Sequence, residues 1–376
     1  MRPDRAQGHG GGDARPALVQ RSARHVDEVS ARPHAAGVSL AKEASERRAA
    51  KYGLVRASAA SAASCRPPFG APGKAAGPEP KGASGVRYEL RTYGPEHKED
   101  YLGLLREAWG DGAMTVPQFD WWFDGNPAGS LRSVAVMDGR VVGVAGHSLY
   151  RMVLGGEERL ATFSVQATTH ESARGRGIFP ALERKHEQEA AERGAAVVLA
   201  FASEPTAPIF LGPLGWTEIG RLRVWARPLP TVASSPAASE SKVEFGDAAA
   251  SWPNHVVRDE AFLRWRYLES PKGYRLASVG RGYAVAGRKQ RGQREVATIV
   301  DLGGDAGRAG LRAGLAYSGD CRLALGLPAP GQRRTFASLG FLPTTYTLHF
   351  MGKALAGRLD TDARAWRFTL GDTDFF

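Results

Sequence analysis

The residues of this 376-residue chain best suited to chemistry fall at positions 165–193, where VQATTHESARGRGIFPALERKHEQEAAER runs from an apolar strand through an Arg-Gly-Arg-Gly turn into an amphipathic helix. Gly175 and Gly177 lack Cβ atoms, so the backbone there can take φ > 0 and approach a ligand closely. The N–H groups that open the next helix have no partner within it, and the helix dipole favours negative charge at that end. An anion such as a pyrophosphate suits this seat. Pro180 fits the first turn of a helix, and Gly194 stands where a helix ending at Arg193 takes a left-handed cap. The turn alone could equally be a solvated basic surface turn, so its neighbours decide.

Those neighbours form an ordered series. Residues 86–93 (VRYELRTY) alternate like an opening strand, and residues 96–109 carry Tyr101, Leu104, Leu105 and Ala108 at helical spacing. FDWWFDGNPAG, residues 119–129, closes a short helix on Asn126-Pro127. Strands at 132–137 and 141–150 join across Asp138-Gly139, a hairpin signal. Residues 159–169 feed the loop, and the apolar run 195–201 reads as a strand buried on both faces. Trp121, Trp122, Trp252 and Trp265 read mainly as core side chains, with an aromatic platform for a sugar as the other reading.

In that setting Arg174, Gly177 and Ile178 resemble the acetyl-coenzyme A loop, Arg/Gln-x-x-Gly-x-Gly/Ala, of the GNAT (GCN5-related) N-acetyltransferases, with Phe179 in place of the last Gly or Ala. TAPIFLGPLGW, residues 206–216, resembles the family's short helix ending in Leu-Gly-Phe or Leu-Gly-Trp. The resemblance covers about residues 86–228. It implies an α/β fold, acetyl-CoA as cosubstrate, and transfer of its acetyl group to a primary amine of a small-molecule or sugar acceptor by direct attack in a ternary complex. It also implies that backbone N–H groups from Ala167 to Thr169 hold the pantetheine arm and polarise the thioester. Arg174, Gly175, Arg176, Gly177, Ile178 and Phe179 would then line the pyrophosphate. An amine near pKa 10 must lose a proton before attack, which makes His170, Glu171 and His147 the candidate bases. The family often places a Tyr where this chain has Leu211, beside Phe210, and Ser203 is a weaker hydroxyl; a thiolate near pKa 8.5 can leave without a strong acid.

The whole chain is read as tandem GNAT-like mixed sheets flanked by helices, with a disordered N-terminal tail. Residues 1–85 hold 14 Lys/Arg against 7 Asp/Glu and little to bury, and so account for much of the formal net charge of +11. Domain boundaries are expected at 86–230 for the acetyl-CoA-binding unit, 231–241 for a Ser/Pro/Ala linker, and 242–376 for a degenerate second unit with a C-terminal extension. In the second unit, residues 259–276 read as a helix broken before Pro271, residues 307–316 as a Gly-interrupted helix, and 321–326 as a strand. The closing WRFTLGDTDFF carries Asp372 and Asp374, which would attract a cationic amine if that segment docks over the cleft. Two cysteines and unclustered histidines argue against a metal site. No apolar stretch spans a membrane, a nucleic-acid partner has only the tail to support it, and cytoplasmic residence is expected. The other readings are a non-catalytic acyl-CoA sensor or interaction protein, favoured by Phe179 and the missing Tyr, and a tandem aminoacyl transferase, opposed by the retained loop.

Overall fold

Alternating apolar residues and tight turns lay down the first half of a mixed sheet. The computed structural model describes residues 88–230, 252–292 and 294–374; the expected tail at 1–85 and linker at 231–241 lie outside the described residues. β1 (Glu89–Thr92) pairs antiparallel with β2 (Ser130–Met137), and the chain between them forms α1 (Lys98–Trp109) and α2 (Val116–Phe119). β3 (Arg140–Leu154) and β4 (Glu157–Thr169) continue the antiparallel series. Asp138 at φ 51 and Gly139 at φ 74 make the β2–β3 turn, two left-handed residues that match the twist of the strands. α3 (Ile178–Glu192) carries the chain to β5 (Ala195–Ala202), which is buried at every position and runs parallel to β4. Tyr101 and Phe119 of the first two helices cover one face of these strands, and Ile178 and Leu182 of α3 cover the other.

After α4 (Ala207–Leu211) the chain forms β6 (Thr217–Pro228); β7 (Asn254–Val256) and α5 (Glu260–Leu263) open the second half. β8 (Arg275–Val279), β9 (Gly282–Arg291) and β10 (Arg294–Gly303) are antiparallel neighbours. α6 (Gly307–Ala316) leads to β11 (Leu323–Gly326), parallel to β10. α7 (Arg333–Ala337), β12 (Leu342–Ala354) and β13 (Trp366–Arg367) finish the chain.

The two halves share one sheet, in the order β1-β2-β3-β4-β5-β12-β6-β11-β10-β9-β8. β12 lies antiparallel between β5 and β6, while β6 lies between β12 and β11, so each half lends the other a strand. A fully buried strand such as β5 needs partners on both edges, and its apolar pattern says nothing about which strand supplies them. The segments 119–127 and 263–271 meet as a pair: Trp121 Nε1 donates to the Trp265 carbonyl at 2.6 Å, and Trp265 Nε1 donates to the Trp121 carbonyl at 2.8 Å. Trp121, Trp122 and Trp265 are therefore core, whereas Trp252 is half-buried. The helix read over 259–276 is instead α5, a π-helical turn at Arg264–Leu268, and the start of β8. Trp265, Arg266 and Tyr267 are three consecutive buried residues, more than the one buried side of a regular surface helix accommodates, and the π-helical turn brings all three inward. The helix read over 307–316 is α6, and the strand read over 321–326 begins at Leu323.

Candidate active site

The site grows from a break in strand pairing. β4 and β5 pair from Leu160↔Ala195 to Phe163↔Leu199 and then diverge, while β5 stays paired with β12 as far as Ala202↔His349. Just past the divergence β4 carries a bulge: its register against β3 shifts between Val144↔Thr168 and Gly146↔Val165, and Gln166 sits at φ 50. A left-handed residue other than Gly costs roughly 1–2 kcal/mol, so the surrounding contacts must hold it. Tyr101 Oη donates to the Gln166 carbonyl at 3.2 Å.

The C-terminal segment, residues 366–374, enters this notch. Phe368 packs edge-on to Phe163 of β4, Phe201 of β5 and Phe350 of β12. Asp374 Oδ2 accepts from Gln166 Nε2 at 2.8 Å and from the Gln166 backbone N–H at 3.3 Å. Burial raises the Asp374 carboxyl above the ordinary aspartate value, with the Gln166 hydrogen bonds and the Lys272 charge pulling it back in part. Half-buried Lys272 lies over the Trp121 and Trp122 rings at 5.9 and 5.8 Å, and burial together with Arg266 pushes its ammonium down to about 7. The sequence marks Asp374 as an acidic residue in a docking segment; its contact with the bulge depends on the fold, as does the nearness of Lys272.

Beyond the bulge the expected loop takes the shape its glycines permit. His170 opens a 3-10 turn at Glu171–Ala173, Gly175 and Gly177 both stand at φ 75, and Gly177 is the N-cap of α3. A Cβ placed on either glycine would meet open space, and no side chain caps the helix. Ile178 and Phe179 amides have no intrahelical acceptor, and Pro180 has no N–H, so the opening of α3 is the kind of helix end that attracts an anion. Arg174 is exposed and donates from Nε to the Thr169 carbonyl at 3.3 Å; Arg176 is half-buried. Phe179 turns away from the loop and packs edge-on against Phe210 of α4, ring centroids 5.4 Å apart, in an apolar cluster with Trp216. Gly194 closes the far end of α3 at φ 83.

The three histidine and glutamate candidates fall into two places. His170 and Glu171 line a cavity of about 70 Å³ with Leu104, Glu107, Thr168 and Arg174, and His170 Nε2 lies 3.3 Å from Glu107 Oε1. Ala167 and Thr169 are half-buried on the β4 end that leads there. His147 is not with them. It is wholly buried on the α3 face of β3, with Nε2 at 2.9 Å from Glu183 Oε2 and Nδ1 at 3.3 Å from Thr162 Oγ1. Strand parity dictates this, because His147 and Tyr150 project to opposite faces. Leu211 is exposed, and Ser203 bonds Thr206 in the turn before α4. A larger cavity of about 410 Å³ opens at the other end of β4, beside Arg159, Asn254 and Arg358.

Comparison with known proteins agrees with this geometry. Residues 89–219 match the acetyltransferase (GNAT) domain model. No curated protein matches the chain. Among solved structures, a GCN5-related N-acetyltransferase from Anabaena variabilis is similar at 12% identity and TM-score 0.52, over 72% of this chain and 73% of that one. A probable N-acyltransferase from Enterococcus faecalis is similar at 13% identity and TM-score 0.50, over 72% and 73%. Saccharomyces cerevisiae N-myristoyltransferase with bound myristoyl-CoA is similar at 11% identity and TM-score 0.53, over 73% of this chain and 86% of that one. At such identities the likeness is one of fold. Among the described residues no helix is long and apolar enough to cross a membrane. The matched residues 89–219, which include the strand–loop–helix turn, thus form an acetyltransferase (GNAT) domain of the acyl-CoA-dependent acyltransferase type.

Proposed function

We propose that the protein transfers an acetyl group from acetyl-CoA to a primary amine of a small-molecule or sugar acceptor, by direct attack in a ternary complex, in the cytoplasm. The observation that carries this reading is the bulged end of β4, where a carboxylate, a diverging strand pair and the donor-rich opening of α3 converge. Amides from Ala167 to Thr169, with Arg174, Gly175, Arg176, Gly177 and Ile178, would hold pantetheine and pyrophosphate. Asp374 takes the ammonium proton: its raised pKa brings it nearer the working pH, where a general base is most effective. His170 and Glu171 stand at the mouth as the second pair of candidates. The neutral amine forms the new N–C bond, the C–S bond breaks, and the thiolate leaves to be protonated from solvent.

A short acyl chain is favoured by the rings in the notch. Phe163 stacks on Phe201 at 5.5 Å, Phe201 on Phe350 at 5.6 Å, and Phe368 closes the group from the strap. The yeast N-myristoyltransferase was solved with bound myristoyl-CoA, whereas here Phe163, Phe201, Phe350 and Phe368 pack together in the notch. We also read the two halves as tandem units, 86–230 binding acetyl-CoA and 242–376 degenerate. The exposed Leu211 in place of a Tyr favours the non-catalytic acyl-CoA sensor as a second reading.

Calorimetric titration of acetyl-, octanoyl- and myristoyl-CoA into the full chain, beside Gly177→Glu, tests the cofactor seat. Micromolar binding strongest for acetyl-CoA and lost in the variant is expected, because the new carboxylate faces the pyrophosphate. Absence of binding to the parent would remove the reading. Thiol release with an amine panel then separates the enzyme from the sensor.

A further inference from the structure

The second half repeats the notch of the first but fills it. β10 and β11 pair in parallel from Ala297↔Ala324 to Ile299↔Gly326 and then stop, and the register of β10 against β9 shifts between Ile299 and Asp301. Asp301 thus follows the bulged Val300, two residues past the last parallel pair of β10, much as Gln166 lies in the bulge past the last parallel pair of β4. Around Asp301 the space is closed by buried side chains. Its carboxylate accepts from Arg258 Nε at 3.0 Å, Tyr267 Oη at 2.7 Å, Tyr283 Oη at 3.3 Å and an Arg367 terminal nitrogen at 3.1 Å. This notch has no room for a thioester.

The same residues grip the C-terminal segment. A terminal nitrogen of Arg258 donates to both oxygens of Asp372, at 2.8 and 2.7 Å, and to Thr369 Oγ1 at 3.3 Å, while Arg367 belongs to the segment itself. Asp372 in turn accepts from the Thr369 backbone N–H at 2.8 Å and from Thr369 Oγ1 at 3.1 Å. Arg266 reaches the segment's backbone, donating to the Gly371 carbonyl at 2.8 Å and the Thr373 carbonyl at 3.1 Å. Arg258, Arg266, Asp301, Arg367 and Asp372 are all buried, so breaking one contact strands a charge in the core. Burial works against ionising Asp301, yet Arg258 and Arg367 hold its carboxyl at about 2, so the anchor stays charged throughout the physiological range. Two residues beyond Asp372, Asp374 meets the β4 bulge.

We propose that the second half is a clamp for the first: Asp301, on the closed notch, and Arg258 hold the C-terminal strap so that Asp374 is presented at the open notch. Arg258 is a positioning residue in this scheme, acting through Asp372 and the strap. The consequence for kcat rests on the reading of Asp374 as proton acceptor; the consequence for the strap does not.

The test uses the full chain with Arg258→Lys, which keeps the charge and loses the fork, and the milder Thr369→Val, which loses a hydroxyl shared with Arg258 and Asp372. Hydrogen exchange at the amides of 366–374, acetyl-CoA affinity, and kcat against pH are read for both, with Asp374→Asn alongside. Faster exchange confined to 366–374 is expected, with kcat down about tenfold or more and acetyl-CoA affinity held within about twofold, since a strap displaced by about 1 Å misplaces the carboxylate. The acid limb of the kcat profile should flatten in the same variants that flatten it through Asp374→Asn. Unchanged exchange at 366–374 in both variants overturns the clamp, as does exchange that rises evenly over the whole chain. Faster strap exchange with full activity in Asp374→Asn supports the clamp and removes Asp374 as the proton acceptor.

Discussion

Asp374 is the residue on which the chemical reading turns, and its environment fixes the sign of its pH dependence. Burial lifts its carboxyl above the ordinary aspartate value, so the basic form is lost at a higher pH than in an exposed aspartate. Activity should therefore rise with pH through that elevated value, and Asp374→Asn should lower kcat by about 10²-fold, the usual scale of a general base, while leaving acetyl-CoA affinity intact. Steady-state rates on the full chain at several pH values check this; a variant with the parent's rate would return the role to His170 and Glu171. The backbone shape of the loop was legible in the sequence because φ > 0 at Gly175 and Gly177 and the cap at Gly194 are local consequences of residue type. His147, expected as a candidate base, lies away from that loop for an equally simple reason. Strand parity, not distance along the chain, sends it under α3 to Glu183.

At the scale of elements, α3 lies over a buried polar layer with its own pH dependence. His186 projects from the buried face of α3, Nε2 at 2.9 Å from Ser133 Oγ and its ring 4.6 Å from the His147 ring; Glu183 lies about one helical turn before it. Burial, then the neighbouring His147, Lys185 and Arg193 charges, lower its pKa well below the ordinary histidine value. The folded chain keeps it neutral while the unfolded chain protonates it near 6.5, so its contribution is full above about pH 6.5 and falls as the solution is acidified. The slope approaches about 1.4 kcal/mol per pH unit only well below pH 6.5, and His186→Gln should remove about 1 kcal/mol of the acid loss between pH 6.5 and 5.5 in urea titrations. Equal acid losses in parent and variant would place the sensitivity elsewhere. Periodicity found α3, α1 and α6 because each has a polar face. It failed over 259–276, where a π-helical turn breaks the regular period and buries Trp265, Arg266 and Tyr267 together. A signal was nevertheless present: Trp121 and Trp265 each precede a proline by six residues, at Pro127 and Pro271, and these two turns exchange their indole hydrogen bonds.

For the whole molecule, the exchanged strands set the terms of stability. The sequence leads one to expect tandem units, but β6 and β12 carry no mark of which half they join. Pairing decides it: β12 satisfies β5 along 197–202 and β6 satisfies β11 along 323–326, each across the sequence boundary between the halves. Cutting the chain at residue 230 would leave β5 with a bare inner edge and β6 with neither of its partners. It would also remove Phe350, Trp366 and Phe368 from the aromatic cluster around Phe201. An exposed edge on an apolar strand is a template for aggregation, and the loss of even one buried aromatic costs about 3–5 kcal/mol, a large part of a typical folding free energy. Residues 86–230 expressed alone should therefore be insoluble or lack a cooperative unfolding transition. The same segment should regain both solubility and acetyl-CoA binding when co-expressed with residues 242–376. A monomeric, cooperatively folding 86–230 fragment would show that β12 is dispensable to the first half, and the acyl-transfer domain would then be autonomous rather than completed by its partner.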